Sequence, residues 1–469
     1  MEKKNNSAVK DLTTGEPSKL IFFMALPLIA GNLVEQLYDF TDTLVVGRFL
    51  GFEALAAIGC AACLVSFMKN FLGGITYGFS ICTAQRLGAK DFDGVRYSLL
   101  VSTALSLILS LSVMIFAVLF THTILEIMHT PAEILDDVHG FLTVMFGGLA
   151  ISTTMWLLSN MSRAFGNTKL PTKIWTITLV LNILFDLTAI GALGLGVYGA
   201  AAATILAQLI GCVIFLRHMK SELELLNFSR EDFRIDRAVI LEHLRMGLPM
   251  GFQSSLFAIG RAAMQIAINK LGVVNVAAVT AASRLDSMAF MVIMSFASVI
   301  AAFVAQNYGA GRLDRILEGV KKCAAITVAV SLAITAFNII FGADILNILL
   351  KDSHPHVIEQ GTFYIVVNGL FYWVFGLIAV FRMALQGLGK NKVPMLSSSI
   401  ELVVKLLVAL FLIDQLGFMG ICLASPLAFV SSCLPLTAAV LRERKKIREL
   451  LGEDEDETEP EISTLALSK

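Results

Sequence analysis

The sequence predicts an all-α integral membrane protein, with twelve transmembrane helices arranged as two pseudo-symmetric six-helix bundles. Three observations lead to this fold class. The 469 residues are 56% hydrophobic and only 16% charged, whereas a soluble domain is about 25% charged. Long apolar segments recur along the whole chain, and short motifs recur between its two halves. So few charges could not cover the surface of a water-soluble chain of this length.

Twelve segments are long enough to cross a bilayer, which takes about 20 mostly apolar residues. The predicted spans are 20–46, 54–80, 97–120, 139–160, 172–191, 197–216, 243–268, 276–304, 321–342, 359–381, 394–413 and 417–441. The corresponding domains are a cytoplasmic N-terminal segment (1–19), an N-terminal six-helix bundle (20–216), a cytoplasmic linker (217–242), a C-terminal six-helix bundle (243–441) and a cytoplasmic tail (442–469).

Basic residues orient these spans, because cytoplasmic loops carry an excess of Lys and Arg. With twelve spans, both termini and every even-numbered loop share one side. Most of the 36 Lys and Arg residues fall on that side, and the other side holds Arg48, Lys270 and Lys351. Both termini are therefore predicted to be cytoplasmic, in a multi-pass protein of the inner or plasma membrane.

Motifs repeat between the halves at a nearly constant offset. Ala84-Gln85 followed by Gly88-Ala89 corresponds to Ala305-Gln306 followed by Gly309-Ala310. Leu50-Gly51 corresponds in the same way to Leu271-Gly272. An even number of spans in each half makes the two copies parallel, and facing repeated bundles are typical of alternating-access transporters.

The first predicted span carries Glu35, Asp39 and Asp42. Their spacing of i, i+4 and i+7 places them on one helix face. A charged side chain inside a bilayer costs free energy, so each one is a candidate functional residue. We therefore expect these carboxylates to line an aqueous cleft.

The fifth predicted span carries Asn182 and Asp186, four residues apart and so on one face. A carboxylate beside an amide can carry a proton, or it can offer hard oxygen ligands to a small cation. The residues alone leave both roles open. Thr204 in the sixth span can add a hydroxyl group.

Other intramembrane charges have weaker patterns. Glu401 and Lys405 are four residues apart and are expected to neutralise each other. The sequence assigns no partner to Arg261, Arg284 or Lys69.

Catalytic patterns are missing from the sequence. The seven His residues lie at span ends or in loops without HExxH spacing, and the chain has no Walker-type Gly-Lys-Ser/Thr loop. A formal net charge of −1 gives no indication of a nucleic-acid partner. We expect neither an enzyme nor a cofactor.

The segments Leu37–Thr43 and Val46–Gly51 resemble the first-span signature of multidrug and toxic compound extrusion (MATE) exporters. The repeated Ala-Gln and Gly-Ala pairs fit the loops after that family's second and eighth spans. The resemblance implies a twelve-helix exporter that uses inward flow of Na⁺ or H⁺ to expel amphipathic, often cationic, small molecules. A monomer in the lipid bilayer is expected.

In the DinF-like or MepA-like branch of that family, the resemblance implies a cation or proton site made of Asp42, Asn182, Asp186 and Thr204. Pro27 resembles the first-span proline that permits bending in that branch. Glu35, Asp39, Arg261 and Arg284 are the candidates for a substrate cleft.

One departure concerns the NorM-like branch, which has acidic residues in the seventh and tenth spans. Phe257 and Phe375 occupy the corresponding places here. Coupling through the N-terminal bundle is therefore favoured.

The predicted function is multidrug efflux by antiport with Na⁺ or H⁺, with cationic substrates drawn to acidic cleft walls. The alternative is a lipid-linked precursor flippase of the same broad superfamily. It would need a cationic cavity for pyrophosphate, to which Arg261 and Arg284 could contribute.

Overall fold

The protein is described here by a computed structural model that covers residues 10–222, 235–350 and 355–452. These residues form helices and short connections, without a strand. The helices are α1 (Pro17–Phe49), α2 (Phe52–Gly88), α3 (Phe92–Ile127), α4 (Ala132–Gly147), α5 (Leu149–Ala164), α6 (Lys169–Asp186), α7 (Gly196–Glu222), α8 (Arg237–Asn269), α9 (Val273–Gly309), α10 (Leu313–Leu349), α11 (Pro355–Gly369), α12 (Tyr372–Gly387), α13 (Lys392–Leu407), α14 (Ile413–Leu416) and α15 (Phe418–Leu451). Two π-helical segments, π1 (Leu187–Ala192) and π2 (Val408–Leu412), follow α6 and α13.

These helices account for the twelve predicted spans. Nine helical stretches of the described chain can cross a membrane by length and hydropathy, or up to eleven when each bent pair counts as one span. The bent pairs are α4 with α5 and α11 with α12, at 50° and 46°. Helix α8 completes the twelve with 33 residues. Its apolar character is diluted by side chains such as Gln253, Ser254 and Arg261.

The two halves repeat the same irregularities in the same order. In each half the fourth span is bent near its middle, and the fifth span passes into a π-helical segment. In each half the second span begins after a glycine, Gly51 or Gly272, with φ of 86° and 87°. Such positive φ values are accessible to glycine without steric cost. The repeated Leu-Gly motif of the sequence is therefore a sharp turn between the first two spans of each half.

Each half has its own apolar core. One cluster of the first half is centred on Phe79, Met155 and Phe215, and one cluster of the second half is centred on Ile378, Tyr372 and Leu436. Many large apolar side chains remain exposed on the outer surface, including Phe116 and Leu119 on α3. Exposed apolar bands of this kind are expected where helices face lipid.

A seal joins the halves at the end of the bundle where α1 begins and α15 ends, the predicted cytoplasmic end. Gln85 Nε2 donates to the carbonyl oxygen of Gly387 at 2.8 Å. The equivalent Gln306 Nε2 donates to the carbonyl oxygen of Ala164 at 2.7 Å. Gly88 lies so close to the other half that a Cβ atom there would be 1.9 Å from the Gln306 carbonyl oxygen. The repeated motif of Ala-Gln followed by Gly-Ala therefore builds this closed end.

The N-terminal segment reinforces the seal. Leu12 is fully buried, and its backbone N–H donates to Gln306 Oε1 at 3.0 Å. Asn307 Nδ2 donates to the Leu12 carbonyl oxygen at 3.1 Å. Lys10 N–H donates to the Phe165 carbonyl oxygen at 2.8 Å. The segment therefore bonds to both halves.

Some sequence predictions fall outside the described residues. They concern residues 1–9 of the N-terminal segment, 223–234 of the linker, 351–354 (which include Lys351) and 453–469 of the tail. The boundaries predicted for the five domains remain predictions.

Candidate ion and substrate sites

The four residues predicted to form an ion site meet between α1, α6 and α7. Asn182 and Asp186 are 0% exposed, and Thr204 is 7% exposed. Asn182 Nδ2 donates to Thr204 Oγ1 at 3.4 Å. The carboxyl groups of Asp42 and Asp186 lie close enough to interact electrostatically. The structure therefore brings all four together in one cluster, which we call the ion cluster; three members are buried and Asp42 is half-buried.

The ion cluster contains oxygen atoms without hydrogen-bond partners. Among the described residues, Asp42 Oδ1, Asn182 Oδ1 and both carboxylate oxygens of Asp186 are buried and unpartnered. Leaving such atoms unsatisfied in a low-dielectric interior is costly. A small cation or a shared proton would satisfy them, because carboxylate and amide oxygens are hard ligands. No group of three or more His, Cys, Asp and Glu side chains able to hold a metal is found in the described ranges.

Local helix geometry places Asp186 in this cluster. Asp186 is the last residue of α6, and the π1 segment begins at the next residue. π-Helical insertions often mark functional positions, because they change the direction in which side chains project. Sequence periodicity gave the pairing of Asn182 with Asp186, but it gave no sign of the π segment.

Tyr38 connects the ion cluster to the rest of α1, and sequence reasoning missed it. Its hydroxyl group donates to the Thr204 carbonyl oxygen at 3.4 Å. Its ring packs edge-on against Trp175, with centroids 6.3 Å apart. Tyr38 stands between Glu35 and Asp42 along one face of α1, and this spacing was the signal that could have identified it.

A central cavity of about 350 Å³ lies between the two halves. Helices α1, α2, α5 and α6 line it from the first half, and α8, α9 and α12 from the second. Its ionisable wall consists of Glu35, Lys69, Arg163 and Arg382, with Tyr77 beside them. Its position between repeated bundles is where alternating-access transporters bind their substrates.

A smaller cavity of about 80 Å³ joins this region to the ion cluster. It shares Glu35, Lys69, Trp156 and Trp175 with the central cavity. It also reaches Thr204, which belongs to the ion cluster. The two candidate sites are therefore neighbours along α1.

Lys69 changes the expected character of the acidic face of α1. Its Nζ lies 2.6 Å from Glu35 Oε1 and 3.8 Å from Asp39 Oδ2. Glu35 and Asp39 do line the cavities, as expected. However, Lys69, which the sequence left unassigned, offsets one of their two negative charges.

Arg261 and Arg284, the other two cleft candidates, are exposed and line neither cavity. The arginines that reach the central cavity are Arg163 and Arg382. The predicted spans ended at residues 160 and 381, so both arginines were expected in cytoplasmic loops, and the structure corrects that expectation. Each lies on the second half of a bent span, α5 or α12, so the bend turns it toward the interior.

Glu401 and Lys405 form the expected ion pair, with Lys405 Nζ 2.9 Å from Glu401 Oε1. Arg382 joins them, because its Nη2 lies 3.3 Å from Glu401 Oε2. The Arg382 guanidinium also lies over the ring of Phe257, 5.1 Å from its centroid. One carboxylate thus serves two cations in the C-terminal half.

The C-terminal half also contains a buried carboxylate on α9. Asp286 is 5% exposed and accepts a hydrogen bond from the Tyr372 hydroxyl group. Phe375, expected at a position that is acidic in the NorM-like branch, lies in an aromatic group with Phe290 and Phe429. This region is separate from the central cavity.

Comparison with known proteins identifies the family. The family model described as MatE matches residues 27–188 and 249–411, one match in each half. A Bacillus subtilis protein named "Probable multidrug resistance protein YoeA" is 24% identical over 428 residues, covering 87% of this chain and 90% of the relative. A Shewanella oneidensis protein named "FAD transporter" is 23% identical over 423 residues, covering 87% and 91%.

Solved structures share the fold. The outward-facing structure of a multidrug resistance MATE family transporter of the MOP superfamily aligns with a TM-score of 0.86 at 22% identity, covering 96% of this chain and 99% of that one. The MatE model matches more than half of the chain, once in each repeated half. This protein therefore belongs to the MatE family, the multidrug and toxic compound extrusion transporters.

Proposed function

We propose that this protein is a secondary active efflux antiporter of the cell membrane, which exports amphipathic compounds in exchange for inward Na⁺ or H⁺. One observation carries the proposal: buried, unpartnered oxygens of Asp42, Asn182 and Asp186 lie beside a cavity between the two halves. An ion site and a substrate cavity that share one helix can influence each other directly.

In the proposed cycle, the ion enters while the predicted cytoplasmic end is sealed. Na⁺ would be held by the carboxylates of Asp42 and Asp186, with oxygens of Asn182 and Thr204 completing its shell. H⁺ would instead be shared between the two carboxylates. Either ion removes negative charge from a buried site, where the repulsion between two carboxylates is strong.

Helix α1 then carries the effect toward the substrate. Asp42, Tyr38 and Glu35 follow one another along its face, and Glu35 lines the central cavity. Pro27 interrupts the backbone hydrogen bonding of α1, and its carbonyl oxygen accepts a bond from Thr172 Oγ1 at 2.6 Å. We propose that α1 bends near Pro27 when the ion binds, so that the substrate is released outward.

The halves then rock about the site, and the ion leaves to the cytoplasm. Each positive charge that moves inward gains about 2.3 kcal/mol per 100 mV of membrane potential. We propose that residues 20–216 and 243–441 are the two moving bodies, with both termini in the cytoplasm. A monomer suffices, because one chain supplies the ion cluster and the cavity.

The charge of the substrate is a separate question. The expectation of cationic substrates came from the acidic face of α1. Lys69 offsets one negative charge of that face, since it lies within 4 Å of both Glu35 and Asp39. One relative is named an FAD transporter, and FAD carries phosphate groups. The acidic face therefore gives weaker support to a cationic preference than the sequence suggested.

A second candidate function is translocation of a lipid-linked precursor. It requires a cationic cavity for a diphosphate group. Lys69, Arg163 and Arg382 supply positive charge to the cavity wall, in place of the Arg261 and Arg284 considered from the sequence.

The test uses purified protein in liposomes with a cationic dye, rhodamine 6G, and an anionic dye, carboxyfluorescein. A Na⁺ gradient and a pH gradient are imposed separately. We expect one of the gradients to drive flux of at least one dye. Asp42→Asn and Asp186→Asn should remove the driven flux, because each replaces a charged ligand with a neutral one of the same shape.

Asp344→Asn is the matched control, because Asp344 is exposed on α10 and lies away from the ion cluster. Its driven flux should equal that of the wild type. If neither gradient moves either dye, or if the Asp42 and Asp186 variants keep full driven flux at equal insertion, the proposed antiport is wrong.

A further inference from the structure

We infer that the central cavity binds an amphipathic organic anion, with its carboxylate, sulfonate or phosphate group near Arg163 and Arg382. The inference rests on the proposed transport function and specifies its substrate class. It is carried by the balance of charges at the cavity, by buried donors without partners, and by the aromatic wall.

The ionisable side chains that line the cavity are mostly positive. Lys69, Arg163 and Arg382 face a single lining carboxylate, Glu35. Charges just behind the wall do not reverse this balance: Asp39 lies near Lys69, and Glu401 lies between Arg382 and Lys405. Counting all seven groups, the cations still exceed the carboxylates by one.

Arg163 is the strongest single indication. Its Nε atom is buried and has no hydrogen-bond partner among the described residues. Glu35 attracts it only over a longer distance, because Lys69 holds Glu35 at 2.6 Å. Arg163 is half-buried, and an incoming anion could pair with its guanidinium in a bidentate geometry.

Arg382 has spare positive charge as well. It is 3% exposed, and its Nε atom also lacks a partner in the described part of the chain. Its carboxylate, Glu401, is closer to Lys405, at 2.9 Å, than to Arg382, at 3.3 Å. Gln386, on the same helix, has a buried unpartnered Oε1 and donates through Nε2 to Gln253 at 2.8 Å.

The remaining wall suits a flat ring system. Two of the three tryptophans of the chain, Trp156 and Trp175, line the cavity together with Tyr77 and Phe257. Aromatic side chains favour stacked or edge-on contact with aromatic ligands. A volume of about 350 Å³ is at the lower end of the range for small-molecule sites, about 300–1,000 Å³.

A cation would find the same cavity unfavourable. To pair with Glu35 it would have to displace Lys69, which would leave that lysine with only Asp39, at 3.8 Å, as a partner among the described residues. It would also approach Arg163 and Arg382 in a site where water screens charge weakly. Selection against cations therefore comes from the same residues that attract an anion.

The test compares two xanthene dyes of similar shape and opposite charge in liposomes, carboxyfluorescein and rhodamine 6G. We expect the wild type to bind and transport carboxyfluorescein in preference to rhodamine 6G. Arg163→Gln and Arg382→Gln should each weaken carboxyfluorescein binding by about tenfold or more, since each removes a charged hydrogen-bond donor. Neither variant should weaken rhodamine 6G binding.

Two further variants distinguish a specific loss of anion binding from misfolding of the protein. Arg163→Lys keeps the charge and should retain more carboxyfluorescein binding than Arg163→Gln. Arg245→Gln removes an exposed arginine of α8 outside the cavity and should leave binding unchanged. Thermal unfolding in detergent checks that each variant is folded.

The outcomes separate this inference from the proposed function. Gradient-driven flux of rhodamine 6G alone would keep the antiporter and overturn the anionic substrate. Anion binding that is unchanged in both glutamine variants would also overturn it. A third arm measures movement of a fluorescent isoprenyl diphosphate between leaflets. Movement of that lipid with no driven dye flux would support an anionic ligand, assign it to a lipid headgroup, and overturn the antiport.

Discussion

Glu401 holds two positive charges in place inside the C-terminal half. It is 3% exposed and lies within 4 Å of both Lys405 and Arg382. Glu401 and Arg382 are buried, and the Lys405 side chain is 16% exposed. Charges withdrawn from water in this way are stable only as a group, because opposite charges must compensate one another. The spacing of four residues predicted the pair with Lys405. Arg382, on another helix, could be found only from the structure.

We therefore predict that Glu401→Gln destabilises the folded protein. The substitution leaves Lys405 and Arg382 buried with no carboxylate between them. Removing one member of a buried ion pair costs about 3–5 kcal/mol. The measurement is the melting temperature of the purified protein in detergent, which should fall clearly below that of the wild type.

Glu359→Gln is the control for this prediction, because Glu359 is exposed near the start of α11. The melting temperature of this variant should equal that of the wild type. The double variant Glu401→Gln/Lys405→Met should recover part of the loss, since it removes one of the two stranded cations. An unchanged melting temperature in Glu401→Gln would show that the group is not buried as described.

Individual residues also show how far the sequence could lead. Asn182 and Asp186 share a helix face by their spacing alone, so their proximity was predictable. Arg163 and Arg382 stand at the ends of apolar runs, where hydropathy cannot distinguish a residue facing cytoplasm from one turned into a cavity. The positive side chains that line the central cavity could therefore not be predicted from hydropathy, although the predicted spans overlap the helices that line it.

The bends of the helices could not be predicted from the sequence either, because hydropathy does not report them. Hydropathy averaged over a window of spanning length gave a single span for residues 139–160, whereas α4 and α5 meet there at 50°. The break falls at Gly147 and Gly148, between two apolar runs. Averaging hides such a break, because both sides of it are equally apolar.

Helices α2 and α9 end where the halves touch, and their glycines permit that contact. A Cβ atom on Gly88 would lie 1.9 Å from the Gln306 carbonyl oxygen, and one on Gly309 would lie 1.8 Å from the Gln85 carbonyl oxygen. Any side chain there must push the helices apart. The seal is therefore a property of these two helix ends.

We predict that Gly88→Val prevents the seal from closing. Opening of the seal is measured by the reactivity of Cys82, which is 1% exposed and packs in the seal beside Met246 and Ala305. In a variant that keeps Cys82 as its only cysteine, maleimide labelling should become several-fold faster when Gly88→Val is added. The physical cause is the loss of close packing around the thiol.

Gly59→Val serves as the matched substitution on the same helix, because a Cβ atom at Gly59 meets nothing within 4 Å. It should leave the labelling rate of Cys82 unchanged. Equal labelling rates in the Gly88 and Gly59 variants would contradict the proposed role of the close approach.

The whole molecule is closed at one end by interactions that obey its internal two-fold symmetry. Gln85 bonds to the second half and Gln306 to the first, through equivalent carbonyl groups. Gln306 additionally holds Leu12 of the N-terminal segment. The hydrogen bonds between the described parts of the two halves lie at this end or near mid-membrane, as at Asn32 and Ser295. An opening motion therefore has to break bonds at the sealed end.

The last prediction concerns the balance between the two states of the transporter. The double variant Gln85→Ala/Gln306→Ala removes three side-chain hydrogen bonds from the sealed state, those to Gly387, Ala164 and Leu12. Each contributes about 1 kcal/mol. The equilibrium should therefore shift by about 150-fold toward the state open at the predicted cytoplasmic end. The distance between spin labels at Lys90 and Arg312 measures the opening of that end. The distance between labels at Phe52 and Val273, both highly exposed, measures the opening of the opposite end.

In the double variant, the distance between labels at 90 and 312 should lengthen while the distance between 52 and 273 shortens, because the halves move as bodies about the central cavity. Gln265→Ala is the control, since that side chain is exposed and its bond within the described chain is to Asn269 on its own helix. Lengthening at one end without shortening at the other would mean that the seal opens by local loosening. The ion cluster and the cavity would then not be exposed in alternation, and the two halves could not couple inward ion flow to outward export.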